Sequence, residues 1–399
     1  MITPLLLAAL QAVSGPQVVA HSPLTPRELI AVRSVGQVVL AESPSPGLSA
    51  IRIFVPVSEQ FGEAGAGRVL TELATERVRG VAARTGAKFA AVRSGSGIAY
   101  TVSGSDLNFD YLFLVAARAV AAPSDEGIAL RRAIQQVRTQ LEPAAETGRG
   151  WVIADLTDRM CPTVPPWLGS SQELSRFDGQ RLQGFWSRTH ARGGLVVTVA
   201  TALPSATVLA GLDLVGSRLP AAISPGVERQ SGTAHAERAR APSVLRRWYG
   251  EARPVPSGFE AEAVVVGELI SSGMAPDVED FELFAELRET ACGTAMVTVG
   301  SSYRGGSRAM RRRVTSFVED LTSGLHAEAV AEASATVQLR LLSEADTPEG
   351  RARAVGSLFE GRAETPALVD ALGELRLDDV TGFLNVLRAR DPLRAELNP

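Results

Sequence analysis

The sequence predicts an α+β protein built of two similar units, each a sheet packed with helices, and three observations carry the prediction. Segments rich in β-branched residues that alternate with a period of two are interleaved, in groups, with apolar residues at helical spacing. A stretch from Pro220 to Pro242, rich in Ala, Ser, Gly, Pro and Arg, has no sustained period and reads as a linker. The 399 residues exceed the roughly 100 to 200 expected of one domain, so each side of that linker is long enough to bury its own core. The expected boundaries are 30–219 for the first unit, 220–242 for the linker and 243–399 for the second.

The elements follow in order. From Gly36, GQVVLAE, the break SPSPG and the alternating run LSAIRIFVPVS predict an opening hairpin. Between Glu63 and Ala83, Ala66, Val69, Leu70, Leu73, Val78 and Val81 recur near helical spacing, and Gly86 supplies a stop. Lys88–Arg93 and Gly97–Ser103 read as strands, followed by helices over Leu107–Ala121, Asp125–Leu141 and Arg149–Met160. A strand at Gly194–Thr201 leads through Pro204 into a helix ending near Leu219. The second half repeats the plan: Ser243–Arg253 extended, helices Phe259–Ser271 and Glu279–Leu287, strand Ala295–Ser302 and helix Ser307–Ser323. Helices over Ala327–Leu342, Pro348–Phe359, Thr365–Leu375 and Leu377–Arg388 finish the chain. The only internal symmetry is this coarse one between halves.

Composition excludes several classes of function. Hydrophobic residues at 45% and charged residues at 21% are ordinary for a soluble globular protein and too polar for several membrane spans. The net charge is only −4 and basic residues are scattered between acidic ones, so no nucleic-acid footprint is present. Lys88 is the sole lysine, and no arginine cluster has the helix or loop context that anion binding requires. GRG at Gly148–Gly150 and RGG at Arg304–Gly306 are too short for a phosphate loop. Cys161 and Cys292 lack CxxC or CxxH spacing and read as ordinary buried thiols, with a single bridge as the alternative in an oxidising compartment.

The compartment is suggested by the N-terminus. Ile2–Val13 is an apolar run of signal-peptide length, and Val18-Val19-Ala20 is an acceptable cleavage site, so residues 1–20 are expected to be removed on export. The mature chain would be periplasmic or secreted and would carry no transmembrane segment. No Lys or Arg precedes the run, which leaves a short N-terminal helix or a mis-assigned start, and a cytoplasmic chain, as the alternative.

The succession AGAGRVLTELATERV, AKFAAV, GIAYTVS and DLNFDYLFLVAARAVAAP resembles the N-terminal domain of the insulinase-like (pitrilysin) zinc metallopeptidases. Val57-Ser58-Glu59 and Gly62-Glu63-Ala64-Gly65 stand where that family has its approach to the zinc helix, and Thr85-Gly86-Ala87 opens the following strands. In the second half, LRETACGTAMVTVGSS from Leu287 to Ser302 is similar to the family's LRE segment and the strand after it. The resemblance covers almost the whole chain after about residue 30 and implies mostly antiparallel sheets packed with helices in both units.

It also implies a site that this chain has lost. The family's H-x-x-E-H presents two His at i and i+4 to zinc, with the Glu as general base on the metal-bound water. Those positions fall on Arg68, Thr71 and Glu72. Arginine stays protonated and cannot ligate zinc, and threonine cannot serve as the base. Arg68 and Glu72 lie on one helical face and are expected to form an ion pair, either in the vacant metal position or on an ordinary solvated surface. The third ligand, a Glu on a later helix, is missing from ALRRAIQQVRTQLE, where Gln136, Val137 and Gln140 take the central positions and the only acid is the terminal Glu142. None of His21, His190, His235 and His326 lies on either helix, so the chain is expected to bind no metal and to need no cofactor.

Family members also use an Arg and Tyr pair to hold substrate peptide. Arg288 matches the arginine of LRE and is the candidate peptide-binding residue, with a plain salt-bridged role at a helix end as its alternative. The tyrosine position falls on Met296, or is displaced by the extra residue in TACG, and Tyr303 lies past the strand. The resemblance therefore implies a non-catalytic subunit without peptidase activity of its own. It would close the chamber of a catalytic insulinase-like partner that carries an intact H-x-x-E-H, and would contribute to peptide binding. A purely structural subunit, or a homodimeric scaffold of the same ancestry, is the alternative.

Overall fold

The computed structural model describes residues 24–57, 59–60, 62–94, 96–123, 127–161, 171–221, 246–274, 282–290, 292–302, 307–360 and 365–398. The expected signal peptide and residues 222–242 of the expected linker lie outside them.

Ten strands form two sheets among these residues. The first sheet contains β1 (Glu28–Val32), β2 (Gly36–Ala41), β3 (Leu48–Pro56), β4 (Lys88–Ser94), β5 (Gly97–Ser105) and β6 (Leu195–Ala200), in the order β1-β2-β6-β3-β5-β4. The second contains β7 (Arg247–Pro254), β8 (Glu282–Thr290), β9 (Gly293–Ser302) and β10 (Leu393–Leu397), in the order β10-β7-β9-β8. Every pairing is antiparallel except that of β2 with β6.

That exception corrects the expected opening hairpin. β6 inserts between β2 and β3, parallel to the first and antiparallel to the second. Its six residues, LVVTVA, are all buried, so it is satisfied only as a central strand with neighbours on both edges. The close approach requires Gly36, whose φ is +132° and where a Cβ would meet the Leu195 carbonyl oxygen at 2.3 Å. A second correction concerns the expected helix Glu279–Leu287. Residues Glu282–Thr290 are strand β8, in which Leu283, Ala285 and Leu287 alternate toward the core and a turn before Gly293 returns the chain as β9. Strands β1 and β10 were not expected at all.

Thirteen α-helices accompany the strands among the described residues. The first half supplies α1 (Ala66–Thr85), α2 (Phe109–Val120), α3 (Gly127–Glu146), α4 (Gly148–Met160), α5 (Ser171–Ser175), α6 (Gly179–Thr189) and α7 (Ser205–Ser217). The second supplies α8 (Glu260–Leu269), α9 (Ser307–Gly324), α10 (Ala327–Ala345), α11 (Pro348–Gly356), α12 (Thr365–Glu374) and α13 (Leu377–Ala389). Helix α1 ends where expected, at Gly86 with φ +68°, a left-handed cap that costs glycine little. The short helices α5 and α6 had no expected counterpart.

Alternation along the strands decides which helix covers which face. Ile51, Ile53 and Val55 of β3 point to one side and pack with Val69, Leu70 and Leu73 of α1 and with Leu112, Phe113 and Ala116 of α2. On the second sheet, Met296 faces a core that includes Val265 of α8, Phe317 of α9, Val337 of α10 and Phe383 of α13. Each fully buried Val, Leu or Phe contributes about 1.5–3 kcal/mol.

The opposite faces are covered by exchange. Helix α4, from the first half, lays Val152, Ile153 and Leu156 on Ala252, Ala295, Val297 and Val299 of the second sheet. Helix α11, from the second half, lays Ala352 and Val355 on Val39, Ala50, Phe54 and Val196 of the first. The two halves therefore complete each other's cores.

The two cysteines are joined, which corrects the expectation of ordinary thiols. Cys161 caps the end of α4, Cys292 lies in the β8–β9 turn, and their Cα atoms are 5.8 Å apart, within the range a disulfide spans.

Candidate functional site

Helix α1 carries the positions where the metal ligands were expected. Its apolar residues turn inward, which leaves Arg68 and Glu72 half-exposed on the flank that meets α3. The expected direct ion pair is absent. Gln140 of α3 stands between the two charges: Arg68 Nη2 donates to Gln140 Oε1 at 2.5 Å, and Gln140 Nε2 donates to Glu72 Oε1 at 3.0 Å. An amide that accepts on one side and donates on the other satisfies both charges without either leaving its helix. Of the three α3 positions, Gln140 is the one whose side chain hydrogen-bonds to α1, while Val137 is buried in the core, and sequence spacing alone did not single it out.

These residues do not fit zinc. The guanidinium remains charged, although burial lowers the pKa of Arg68 against the opposing pull of Glu72 and Glu59. Thr71 is 7% exposed and its hydroxyl donates to the Arg68 carbonyl at 2.7 Å, so it faces its own backbone. One carboxylate is left, where a catalytic zinc site needs three protein ligands. No group of three or more His, Cys, Asp and Glu is placed to hold a metal among the described residues. His190 is fully buried, with Tyr100 Oη at 3.0 Å from Nε2 and Thr189 Oγ1 at 2.9 Å from Nδ1, and burial pushes its pKa down to about 3. His326 caps α10 by accepting from the Ala329 amide at 3.2 Å. His21 and His235 lie outside the described residues.

A buried carboxylate below the N-terminus of α1 had not been singled out for chemistry. Glu59 is 4% exposed, its Oε1 accepts from the Gly67 amide at 3.0 Å, and Arg93 of β4 lies beside it with Nε at 3.5 Å. Its Oε2 is buried and has no hydrogen-bond partner among the described residues. Burial pushes its pKa up to about 7, with Arg93 and the Gly67 amide opposing. Gly67 is needed here, because a Cβ would meet Arg93 Nε at 2.6 Å and Glu59 Oε1 at 2.9 Å. The glycine together with the acid eight residues before it was the available signal.

Arg288 lies on β8, an edge strand of the second sheet, and not at a helix end. Its Nη1 donates to Glu286 Oε1 at 3.1 Å while the side chain stays 36% exposed. Glu286 is also 3.8 Å from Arg149 of α4, whose guanidinium sits 4.1 Å from the centre of the Phe284 ring. Met296 is 1% exposed in the core, so nothing at that position could touch a peptide, and Tyr303 lies outside the described residues.

No protein-family model matches the sequence, and no curated protein is detectably similar to it. Solved structures do match. A protease from Helicobacter pylori superposes with a TM-score of 0.72 at 13% identity over 94% of this chain and 100% of that one. The inactive domain of a peptidase M16 from Pseudomonas fluorescens gives 0.65 at 11% identity over 90% of this chain and 94% of that one. The periplasmic protease PqqL of Escherichia coli gives 0.69 at 10% identity, covering 93% of this chain but 45% of its own length. The chain has the fold of the insulinase-like, or M16, peptidases. At 10–13% identity it is the fold, and not an activity, that these matches establish. No described helix is long and apolar enough to cross a membrane.

Proposed function

We propose that this chain is a non-catalytic subunit of a heteromeric M16-type peptidase, one half of a chamber whose other half is a separate chain bearing H-x-x-E-H. The observation that carries the reading is the Arg68–Gln140–Glu72 network: a charge-satisfied arrangement occupies the two positions where the resemblance puts the zinc-binding histidines and ties them to the helix expected to carry the third ligand. A site of that kind keeps the helices together and offers no Lewis acid and no general base.

The matched region, 93% of this chain, covers 45% of PqqL, the share that one half of a chamber would take. Peptide would be held by strand addition, for which β4, flanked by α1, and β8, which carries Arg288, are both edge strands. Catalysis would belong entirely to the partner. Export to the periplasm follows from the N-terminal segment and is part of the same proposal, as are the unit boundaries 30–219 and 243–399. The test is association: co-expressed with an H-x-x-E-H chain encoded beside it, the tagged protein should co-purify with that chain in equal amounts. A monomer, or a stable homodimer that ignores the second chain, would contradict the proposal.

A further inference from the structure

Helix α4 is fastened to the second sheet differently at its two ends. At its start the hold is non-covalent: Arg149 lies over Phe284 and near Glu286, and Gly148 sits so close to Trp248 that a Cβ would meet the indole Nε1 at 2.1 Å. At its end Arg159 donates to the Arg394 carbonyl of β10, and Cys161 is bonded to Cys292. That bond spans 131 residues and joins a helix of the first half to the β8–β9 turn of the second. Cys161 is 3% exposed, whereas Cys292 is exposed in its turn. One end of the bridge therefore lies in the core and the other in an exposed turn.

We propose that the Cys161–Cys292 bridge is a redox latch on α4: closed, it keeps the helix seated on the second sheet, and opened by a dithiol reductant it lets the C-terminal end of the helix leave. A thiolate of the reductant attacks Sγ of Cys292, at the exposed end of the bridge, and Cys161 departs as the thiolate. The second thiol of the reductant then attacks the mixed disulfide and releases Cys292. The protein gains two electrons and two protons, and the reductant becomes a disulfide. Release matters because α4 is the sole cover of Ala252, Ala295, Val297 and Val299 on that face among the described residues, and it continues directly from α3, which carries Gln140. Opening the latch would loosen the second sheet's cover while leaving the first sheet, closed by α11, as it is.

Hydrogen exchange of the full chain, oxidised and after dithiothreitol, tests the latch, with a Cys161→Ser/Cys292→Ser variant as the permanently open form. Reduction should raise exchange at least ~10-fold in residues 148–160 and 293–302 and leave 48–56 and 195–200 unchanged. The variant should match the reduced chain and ignore reductant, and both should melt ~5 °C below the oxidised form. If the variant fails to fold, the wild-type pair of measurements decides alone. Unchanged exchange in 148–160 once mass confirms the gain of two hydrogens would overturn the proposal. So would exchange rising equally in both sheets, or two free thiols in protein recovered from an oxidising compartment.

Discussion

Arg52 and Glu360, 308 residues apart, meet in a buried two-bond pair, with Nε at 2.7 Å and Nη2 at 2.8 Å from the two carboxylate oxygens. Arg52 lies on the α11 face of β3 and Glu360 just past α11, so the pair locks the second half's helix onto the first half's sheet. Removing one partner leaves a charge stranded in the interior, whereas replacing both leaves none. Glu360→Ala is expected to lower stability by about 3–5 kcal/mol in urea denaturation, and Arg52→Met with Glu360→Leu by much less. Equal losses in the two would mean that the charges are not the lock.

Glu59 and His190 give stability opposite pH dependences. Glu59 is raised to about 7 by burial, so the folded chain keeps a proton that the unfolded chain releases near 4.5, and its contribution falls as pH rises between those values. His190 is lowered to about 3 from 6.5 by burial, so the unfolded chain takes up a proton first, and stability is lost as pH falls from 6.5 toward 3. The slopes oppose each other between about 4.5 and 6.5. Glu59→Gln should remove one of them, so that stability relative to wild type grows by on the order of 3 kcal/mol from pH 4 to pH 8. Denaturation midpoints at four or five pH values check this, and parallel curves for the two proteins would refute it.

Arg288→Ala should weaken peptide turnover by a reconstituted pair while assembly stays intact. About 1–3 kcal/mol is at stake for one charged donor, and the low end is expected because the buried Met296 offers no second contact beside Arg288. Peptidase assays of the wild-type and variant pairs measure it. Identical turnover would remove Arg288 from peptide binding and leave it as the partner of Glu286.

Native protein should begin near His21 and be recovered from the periplasm or medium, as the apolar run and Ala20 imply. N-terminal sequencing decides the matter, and a chain starting at Met1 or Ile2 from cytoplasm would end the claim of export.

Much of the helical framework was legible because amphipathic spacing is local: α1, α4 and the four helices from Ala327 onward fall close to their expected bounds. What was not legible depends on partners far along the chain. Nothing in GQVVLAE says that a strand more than 150 residues later will separate it from LSAIRIFVPVS. ELFAELRET holds good helix formers, and only its pairing with β9 makes the period of two decisive. At the site, Arg68 and Glu72 could be placed on one face from their spacing of four. The bridge through Gln140, the Glu59–Arg93 pair and the Cys161–Cys292 bond needed the fold, since each joins elements between 34 and 131 residues apart.

In the proposed reading, chemistry has left this chain while its architecture remains. The most direct measurement is the zinc content and peptidase activity of the isolated, dialysed protein. Neither stoichiometric zinc nor hydrolysis is expected, because Arg68, Thr71, Glu72 and Gln140 offer a single carboxylate and no imidazole. One tightly held zinc per chain that is lost in Glu72→Ala, with peptide cleavage by the chain alone, would contradict it.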